Sequence, residues 1–315
     1  MTRAYRRRKR EDPGWRLRRV QRKREMTASA SMHSRRVRKL SPRAKVAPEA
    51  NPPEEREAPR PRDIVLQGTA AAVVSVCNEE ATIDQVLGEL EKLPLADIIV
   101  VLNGCTDGTR TVVAKRHPGV TLVNVPDRLG HDVGRATGAR LSQADIVLFV
   151  DGDLAIPASD LLPFLQAVDQ GTDVALNDLG RHLPPYTQQD SVTRCKGFLN
   201  RVLRRSDLGA SSLTAVPHAL SRRVLDQLGP AVLAVPPKAH AMAILHGMVV
   251  AAVHAVDVIK TNRKRTFNVG KGNAMEQLII GDHAEALTTV FQVAGNSPFG
   301  PVPTRVDVAK RRNAR

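Results

Sequence analysis

Aromatic side chains are nearly missing from this chain, with 6 Phe, 2 Tyr and 1 Trp among 315 residues. Bases stack on aromatic rings, so a folded domain this poor in them lacks the platforms of a general nucleic-acid binder. Cysteine is equally scarce. Cys77, Cys105 and Cys195 are too few and too scattered for a disulfide framework or a zinc ribbon. Reduced thiols in a cytoplasmic protein are the expectation. No apolar run reaches the roughly 18–20 residues that cross a bilayer. The Arg-rich start is not followed by the apolar stretch of a secretory signal.

Positive charge is what the chain has in excess, and it is unevenly placed. Lys and Arg number 47 against 32 Asp and Glu, a formal net charge of +15. Residues 1–62 hold 21 basic and 7 acidic side chains, and residues 305–315 hold 5 and 1. Residues 63–304 hold 21 basic and 24 acidic side chains, a net of −3. The body is therefore slightly acidic, and nucleic-acid binding, if present, belongs to the tails. Residues 1–62 are poor in aliphatics and rich in Arg and Pro, too little apolar area to offset ordering entropy. They read as a disordered basic tail, with a short basic helix near 14–25 and alternative starts at Met26 or Met32. Such tails would tether the protein to an anionic surface, the inner face of a membrane or RNA.

From residue 68 the pattern changes. Short apolar runs at 70–76, 97–102, 120–125, 145–150 and 173–176 alternate with helical periodicities at 81–92, 106–117, 132–142 and 158–170. Strands apolar throughout, alternating with helices of this length, indicate a doubly wound α/β layout: a mostly parallel sheet with helices on both faces. The second half is less regular. Helices are expected at 194–205, 219–228, 238–246 and 274–293, the last with a break at Gly281, and a strand at 249–258. Residues 261–273 read as a basic loop, and 296–315 as a basic C-terminal tail.

Four polar motifs interrupt this frame. Asp151-Gly152-Asp153 follows a buried strand directly. Ligands bind outside the carboxyl ends of such strands, and two carboxylates two residues apart suit one hard cation with substrate phosphates, Mg²⁺ or Mn²⁺. A solvated polar turn is the alternative. Ser75-Val76-Cys77-Asn78-Glu79-Glu80 closes the first strand, and Asn103-Gly104-Cys105-Thr106-Asp107-Gly108 closes the second. These place short polar groups at the same edge, although Thr106 or Asp107 would serve equally as a helix N-cap. In Gly130-His131-Asp132-Val133-Gly134-Arg135-Ala136-Thr137-Gly138, the three glycines are four apart and would share a helix face. Close packing is expected at Gly138, and Arg135 is a diphosphate contact or a surface salt bridge.

In this order and spacing, the four motifs resemble family 2 glycosyltransferases of the GT-A fold, over residues 70–180 and more loosely over 180–290. The resemblance implies a GT-A domain over 63–295 that transfers a sugar from a nucleoside diphosphate sugar, with Mg²⁺ or Mn²⁺ at the Asp-x-Asp. It implies that Ser75, Cys77, Asn78 and Glu79 line the nucleoside pocket. Asn103 and Asp107 would flank the base or ribose. Asp151 would lie near ribose and metal, with Asp153 as the main metal ligand. Around residues 147–154 the chain partly resembles the retaining glucosyl-phosphoglycerate synthases. Retaining members often supply a late His to the metal, and His254 fits that order; a satisfied strand histidine is the alternative.

Two departures stand out. Where the family commonly has Asp-Asp-Gly-Ser, this chain has Leu102-Asn103-Gly104-Cys105, without the carboxylate that often reads the base. Inverting members carry a Glu-Asp pair roughly 90 residues after the Asp-x-Asp as general base, whereas residues 236–243 here contain no carboxylate. The chain is then a retaining enzyme, one that recruits another base, or a degenerate member that binds nucleotide sugars without turnover. Asp282 and His283, set beside Gly281 in an otherwise apolar helix, are a local conflict of the kind that marks functional sites. They are the candidates for acceptor binding or proton transfer. The loop with Arg263, Lys264, Arg265 and Lys271 would close over the diphosphate or a phosphorylated acceptor. The acceptor is either lipid-linked or small and phosphorylated.

Overall fold

A computed structural model of the chain describes residues 61, 64–258 and 273–293, with 306 and 310 as isolated positions. The basic loop and, apart from those single positions, both tails lie outside the described residues. Seven strands are present: β1 (Ala70–Val76), β2 (Asp97–Asn103), β3 (Thr121–Val125), β4 (Ile146–Asp151), β5 (Val174–Asn177), β6 (His218–Ser221) and β7 (Val250–His254). They form one sheet in the order β3-β2-β1-β4-β6-β5-β7. All neighbours pair in parallel except β6, which runs antiparallel to both β4 and β5. The mostly parallel, doubly wound sheet is as the sequence predicts.

Strand side chains alternate between faces, and both faces are buried. Ala70, Ala72, Val74 and Val76 of β1 join one core with α1 (Ile83–Leu90), α2 (Thr109–Arg116) and α4 (Ala158–Asp169). Val73, Val147 and Phe149 join the other with α3 (Val133–Leu141), α6 (Arg222–Leu228) and α7 (Pro236–Leu245). α1 illustrates the local cause: Ile83, Val86, Leu87 and Leu90 fall on one stripe and are all buried. A third, smaller cluster joins α5 (Ser191–Val202), α7 and α8 (Ala274–Val293) through Leu199, Val202, Ala241, Ala286 and Val290.

The structure departs from the sequence reading in several places, and β7 covers only Val250–His254 of the strand expected over 249–258. Residues 219–228 are not one helix: His218–Ser221 form β6, and α6 begins at Arg222. Four residues are too few for a period to show, and their wedging between β4 and β5 is a tertiary effect. Gly281 does not break α8; it is exposed, and a Cβ there would touch nothing. Gly130 is not on the helix face of Gly134 and Gly138, because it lies in the preceding loop at φ +134°. No described helix is long and apolar enough to cross a membrane.

Candidate active site at the carboxyl edge of the sheet

β1 and β4 lie side by side, while the chain leaves them toward opposite halves of the sheet. This makes a topological switch point, where open α/β sheets bind ligands. Ser75 pairs with Asp151 across that junction. The turn after Asp151 is held tightly: the Gly152 N–H donates to the Ser75 carbonyl at 3.0 Å, and Thr82 Oγ1 donates to the Gly152 carbonyl at 2.8 Å. A Cβ on Gly152 would meet Val76 Cγ2 at 2.9 Å, so glycine is required for this approach. Asp151 and Asp153 flank this turn, both partly exposed.

α3 presses on β1 through its glycines. A Cβ on Gly138 would meet Val73 Cγ1 at 2.3 Å, and one on Gly134 would meet Ser75 Oγ at 2.4 Å. That approach carries Arg135 beneath the Asp-x-Asp turn. Arg135 is buried. Its Nη1 lies 2.9 Å from Asp132, and its Nη2 lies 3.2 and 3.3 Å from the two oxygens of Asp151. Burial pushes the guanidinium pKa down, but Asp151 and Asp132 outweigh it and the net direction is up. The arginine expected as a diphosphate contact or surface pair is thus a buried clamp on the first carboxylate of the motif.

The remaining residues of the sequence reading divide. Asn78 adopts φ +60° and locks the two strand-end loops together: its Oδ1 accepts from the Thr106 N–H at 2.7 Å. Glu79 is buried, with its N–H on Thr109 Oγ1 at 2.9 Å. Asp107 caps α2 through the Thr109 N–H at 3.1 Å and also accepts from the Glu80 N–H at 3.2 Å. Burial raises its pKa, and the hydrogen bond from the Thr109 hydroxyl, together with these two N–H bonds, more than reverses that. Asn103 spends both ends of its amide on the loop before α3, accepting from the Leu129 N–H at 2.8 Å and donating to the Gly130 carbonyl at 2.6 Å. Asn78, Asn103 and Asp107 therefore shape the edge by bonding within the chain. Ser75 and Cys77 stand half-buried beside them, Cys77 as a free thiol.

His254 sits at the end of β7, against Asp160 at 3.3 Å and edge-on to Phe164. The structure does not join it to the Asp pair: among the described residues no group of three or more His, Cys, Asp or Glu is placed to hold a metal. Asp282 and His283 also part company. Asp282 is half-buried, and burial first, then Asp132 and Glu285, push its pKa up to about 6, with His131 opposing. It therefore feels the same loop and acid that hold Arg135. His283 is buried, its Nδ1 donating to the Ile279 carbonyl at 2.7 Å. Burial holds its pKa down.

Two further groups, Lys196 and His218, escape the sequence reading. Lys196 on α5 is half-buried, and burial pushes its pKa down to about 8, with Arg135 adding to the shift and Asp190 opposing it. It lies on the stripe of Val192, Leu199 and Leu203, a cation on an otherwise apolar helix face, which is the signal that would have found it. His218 is buried, stacked on Phe149 at 5.1 Å and donating from Nδ1 to the Ala215 carbonyl at 2.8 Å. Burial and then Arg135 push its pKa down to about 3. His240, in the segment where inverting relatives carry their acids, is fully buried and donates from Nε2 to Asn200 Oδ1 at 2.8 Å.

The family is decided by a match over residues 71–229 to the model of glycosyl transferase family 2, half of the chain. The chain belongs to glycosyl transferase family 2. Its β1–β4 motifs and switch-point site lie within that match. A curated relative, the glycosyltransferase AglJ of Haloferax volcanii, is 28% identical over 129 residues, covering 41% of each protein. The chain thus spans less than half the length of that relative. Glucosyl-3-phosphoglycerate synthase from Mycobacterium tuberculosis shares the fold. Its complex with UDP superposes with a TM-score of 0.51 at 19% identity, covering 73% of this chain and 81% of that one. Its complex with Mn²⁺, UDP-glucose and phosphoglyceric acid gives 0.50 at 19% identity over the same shares.

Proposed function

We propose that this family 2 member transfers a sugar from a nucleoside diphosphate sugar to an acceptor hydroxyl, with Asp151 and Asp153 holding Mg²⁺ or Mn²⁺. The observation that carries the reading is the Arg135–Asp151 clamp at the end of β4, with a second carboxylate two residues on. Two hard oxygen donors at a partly open edge fit such a cation, which takes one or two carboxylates and completes its shell with substrate phosphates and water. When bound, the metal neutralises charge on the departing diphosphate. Arg135 fixes the direction of Asp151 through their ion pair at 3.2 Å, because both groups would be costly to leave unpaired. Lys196 adds positive potential on the α5 side of Arg135, where the leaving group gains charge. Ser75, Cys77, Asn78, Glu79, Asn103 and Asp107 form the nucleoside end of the pocket, the last four mainly by fixing its loops. His254 would need to leave Asp160 to serve as a third ligand.

Residues 236–243 supply no carboxylate to deprotonate an acceptor. Asp282 is the carboxylate that meets the requirement: its pKa near 6 leaves it ionised at neutral pH yet basic enough to take a proton. His283, enclosed between helices, supports the position of α8 rather than the proton transfer. The acceptor is a lipid-linked or small phosphorylated alcohol; the fold neighbour described above was solved with phosphoglyceric acid. A cytoplasmic enzyme, held at the membrane by its basic tails, is consistent with this reading.

The test uses purified full-length protein with UDP-, GDP-, ADP- and dTDP-sugars, each with Mn²⁺, with Mg²⁺ and without metal. A metal-dependent rise in unfolding temperature with one nucleotide class, and release of the nucleoside diphosphate, are expected. Asp153→Ala should remove the metal-dependent thermal shift and lower turnover about a thousandfold, as several kcal/mol of charge stabilisation is lost. Metal-dependent binding without turnover would make the chain a nucleotide-sugar-binding protein, and a flat response across the panel would sink the site assignment.

A further inference from the structure

The outer face of α5 differs from the rest of the domain surface. The exposed positions of this helix are Arg194, Phe198 and Arg201, spaced to form one stripe. Phe198 is 52% exposed. Tyr186, 58% exposed, lies beside them, with the Arg194 and Arg201 guanidinium carbons 5.3 and 5.9 Å from its ring centroid. Arg181 and Arg204 are exposed at the margins. Residues 178–208 hold six basic and three acidic side chains, whereas the rest of 63–304 holds 15 basic and 21 acidic. The three acids are engaged off the stripe: Asp178 caps the Gly180 N–H at 3.0 Å, Asp190 caps the Thr193 N–H at 2.7 Å, and Asp207 pairs with Arg205 at 2.8 Å.

We infer that the Arg194–Phe198–Arg201 stripe, with Tyr186, docks this domain on an anionic lipid bilayer. Guanidinium groups flanking an exposed phenylalanine match headgroup phosphates above an acyl boundary, and a tyrosine suits that boundary because one end is apolar and the other wet. A single-stranded nucleic acid fits less well. It needs a run of bare rings, and here Tyr186 already carries two guanidinium groups, leaving Phe198 alone. The opposite side of the same helix presents Lys196 toward Arg135 and Asn200 toward His240. Docking through the stripe therefore places α5 between the bilayer and Lys196. The inference does not depend on the donor or on turnover.

The experiment is co-sedimentation of the full chain with vesicles of phosphatidylcholine alone or with about a third phosphatidylserine. Both basic tails are present in every sample, so differences between variants report the stripe. Wild type should bind the anionic vesicles selectively. Arg194→Ala/Arg201→Ala should weaken that partition about thirtyfold. Phe198→Ser should remove the part of the binding that survives about 0.5 M salt, where surface charge is screened. The substituted positions are exposed, so unfolding temperatures should be unchanged, which keeps a loss of binding distinct from a loss of fold. Double-Arg protein that binds anionic vesicles as wild type does, or equal wild-type binding to both vesicle types, overturns the inference. So does loss of binding to a single-stranded oligoribonucleotide with vesicle binding intact.

Discussion

The sheet has two unlike halves. From β1 to β4 the chain alternates strand and helix, and β1, β2 and β4 are buried on both faces while β3 forms the partly exposed edge. From β5 onward an antiparallel strand is wedged into the sheet, short 3₁₀ turns replace helices, and three helices build a separate cluster. The first half buries polar side chains mainly in the loops and helices that follow its strands, among them Glu79, Thr109, Asp132 and Arg135. The second buries polar side chains in its interior: Asn200, His218, His240 and His283. A buried polar group needs a partner fixed in space, so this half is organised by specific hydrogen bonds as well as by apolar area. Asn200 shows how: its amide donates to the Gly209 and Ser211 carbonyls at 3.0 Å each while its Oδ1 accepts from His240. In the proposed site the regular half supplies the Asp151–Asp153 edge, and the irregular half contributes Lys196 and Asp282.

The comparison is broken most severely at Arg135, which belongs to the regular half but is buried like the polar groups of the other. Arg135→Met leaves Asp132 buried without its counter-ion. Removing one partner of a buried pair costs about 3 kcal/mol or more, roughly a 6–12 °C fall in unfolding temperature for a domain of this size. If thermal unfolding of Arg135→Met matches wild type, the clamp is not structural and its whole role must lie in binding.

This contrast also explains what was legible in the sequence. β1 is observed over the predicted residues, and α3 and α4 lie within two residues of expectation, because apolar periodicity there reports burial directly. The Asp-x-Asp turn was legible because it ends a buried strand. β6 was not: His218-Ala219-Leu220-Ser221 continues without a breaker into α6, and only pairing with β4 and β5 makes it a strand. The roles of Asn103 and Asp107 were half legible. Their position at the edge was right, but their side chains serve loop and cap, which spacing cannot distinguish from ligand binding. His254 and His283 stand in apolar elements, where the sequence cannot tell a ligand from a histidine held by its neighbours: His254 lies against Asp160, and buried His283 donates to the Ile279 carbonyl.

Asp282 sharpens the comparison at the level of chemistry. Burial and the neighbouring Asp132 and Glu285 raise its carboxyl to about 6, against the opposing His131. A base must be ionised, so kcat/KM should rise with pH through about 6 and level off above it. Asp282→Asn should lower turnover about a hundredfold and abolish that limb, while nucleotide binding by thermal shift stays intact. The raised pKa also has a thermodynamic sign: ionisation is harder in the folded chain, so stability falls as pH rises from about 4 to about 6. The Asn variant should lack that slope. An unchanged acidic limb in Asp282→Asn would return the proton transfer to another group.

Lys196 is the finest discriminator, because it asks whether the irregular half contributes charge to the reaction or only packing. Burial and the nearby Arg135 disfavour the charged form of this ammonium, against Asp190, and this is why its pKa falls to about 8. A bound diphosphate would reverse that cost, so the cation is more stable with ligand than without. Two consequences separate a functional lysine from a packing one. First, kcat/KM of wild type should decline above about pH 8 as the ammonium loses its proton, and Lys196→Gln should be about tenfold less active below pH 8 with no alkaline decline. Second, nucleoside diphosphate binding should take up protons near pH 8 in wild type, seen as a buffer-dependent heat of binding, and not in Lys196→Gln. If the variant keeps both the alkaline decline and the proton uptake, α5 is a wall of the site, and the division of labour between the two halves must be redrawn with all the chemistry in the first.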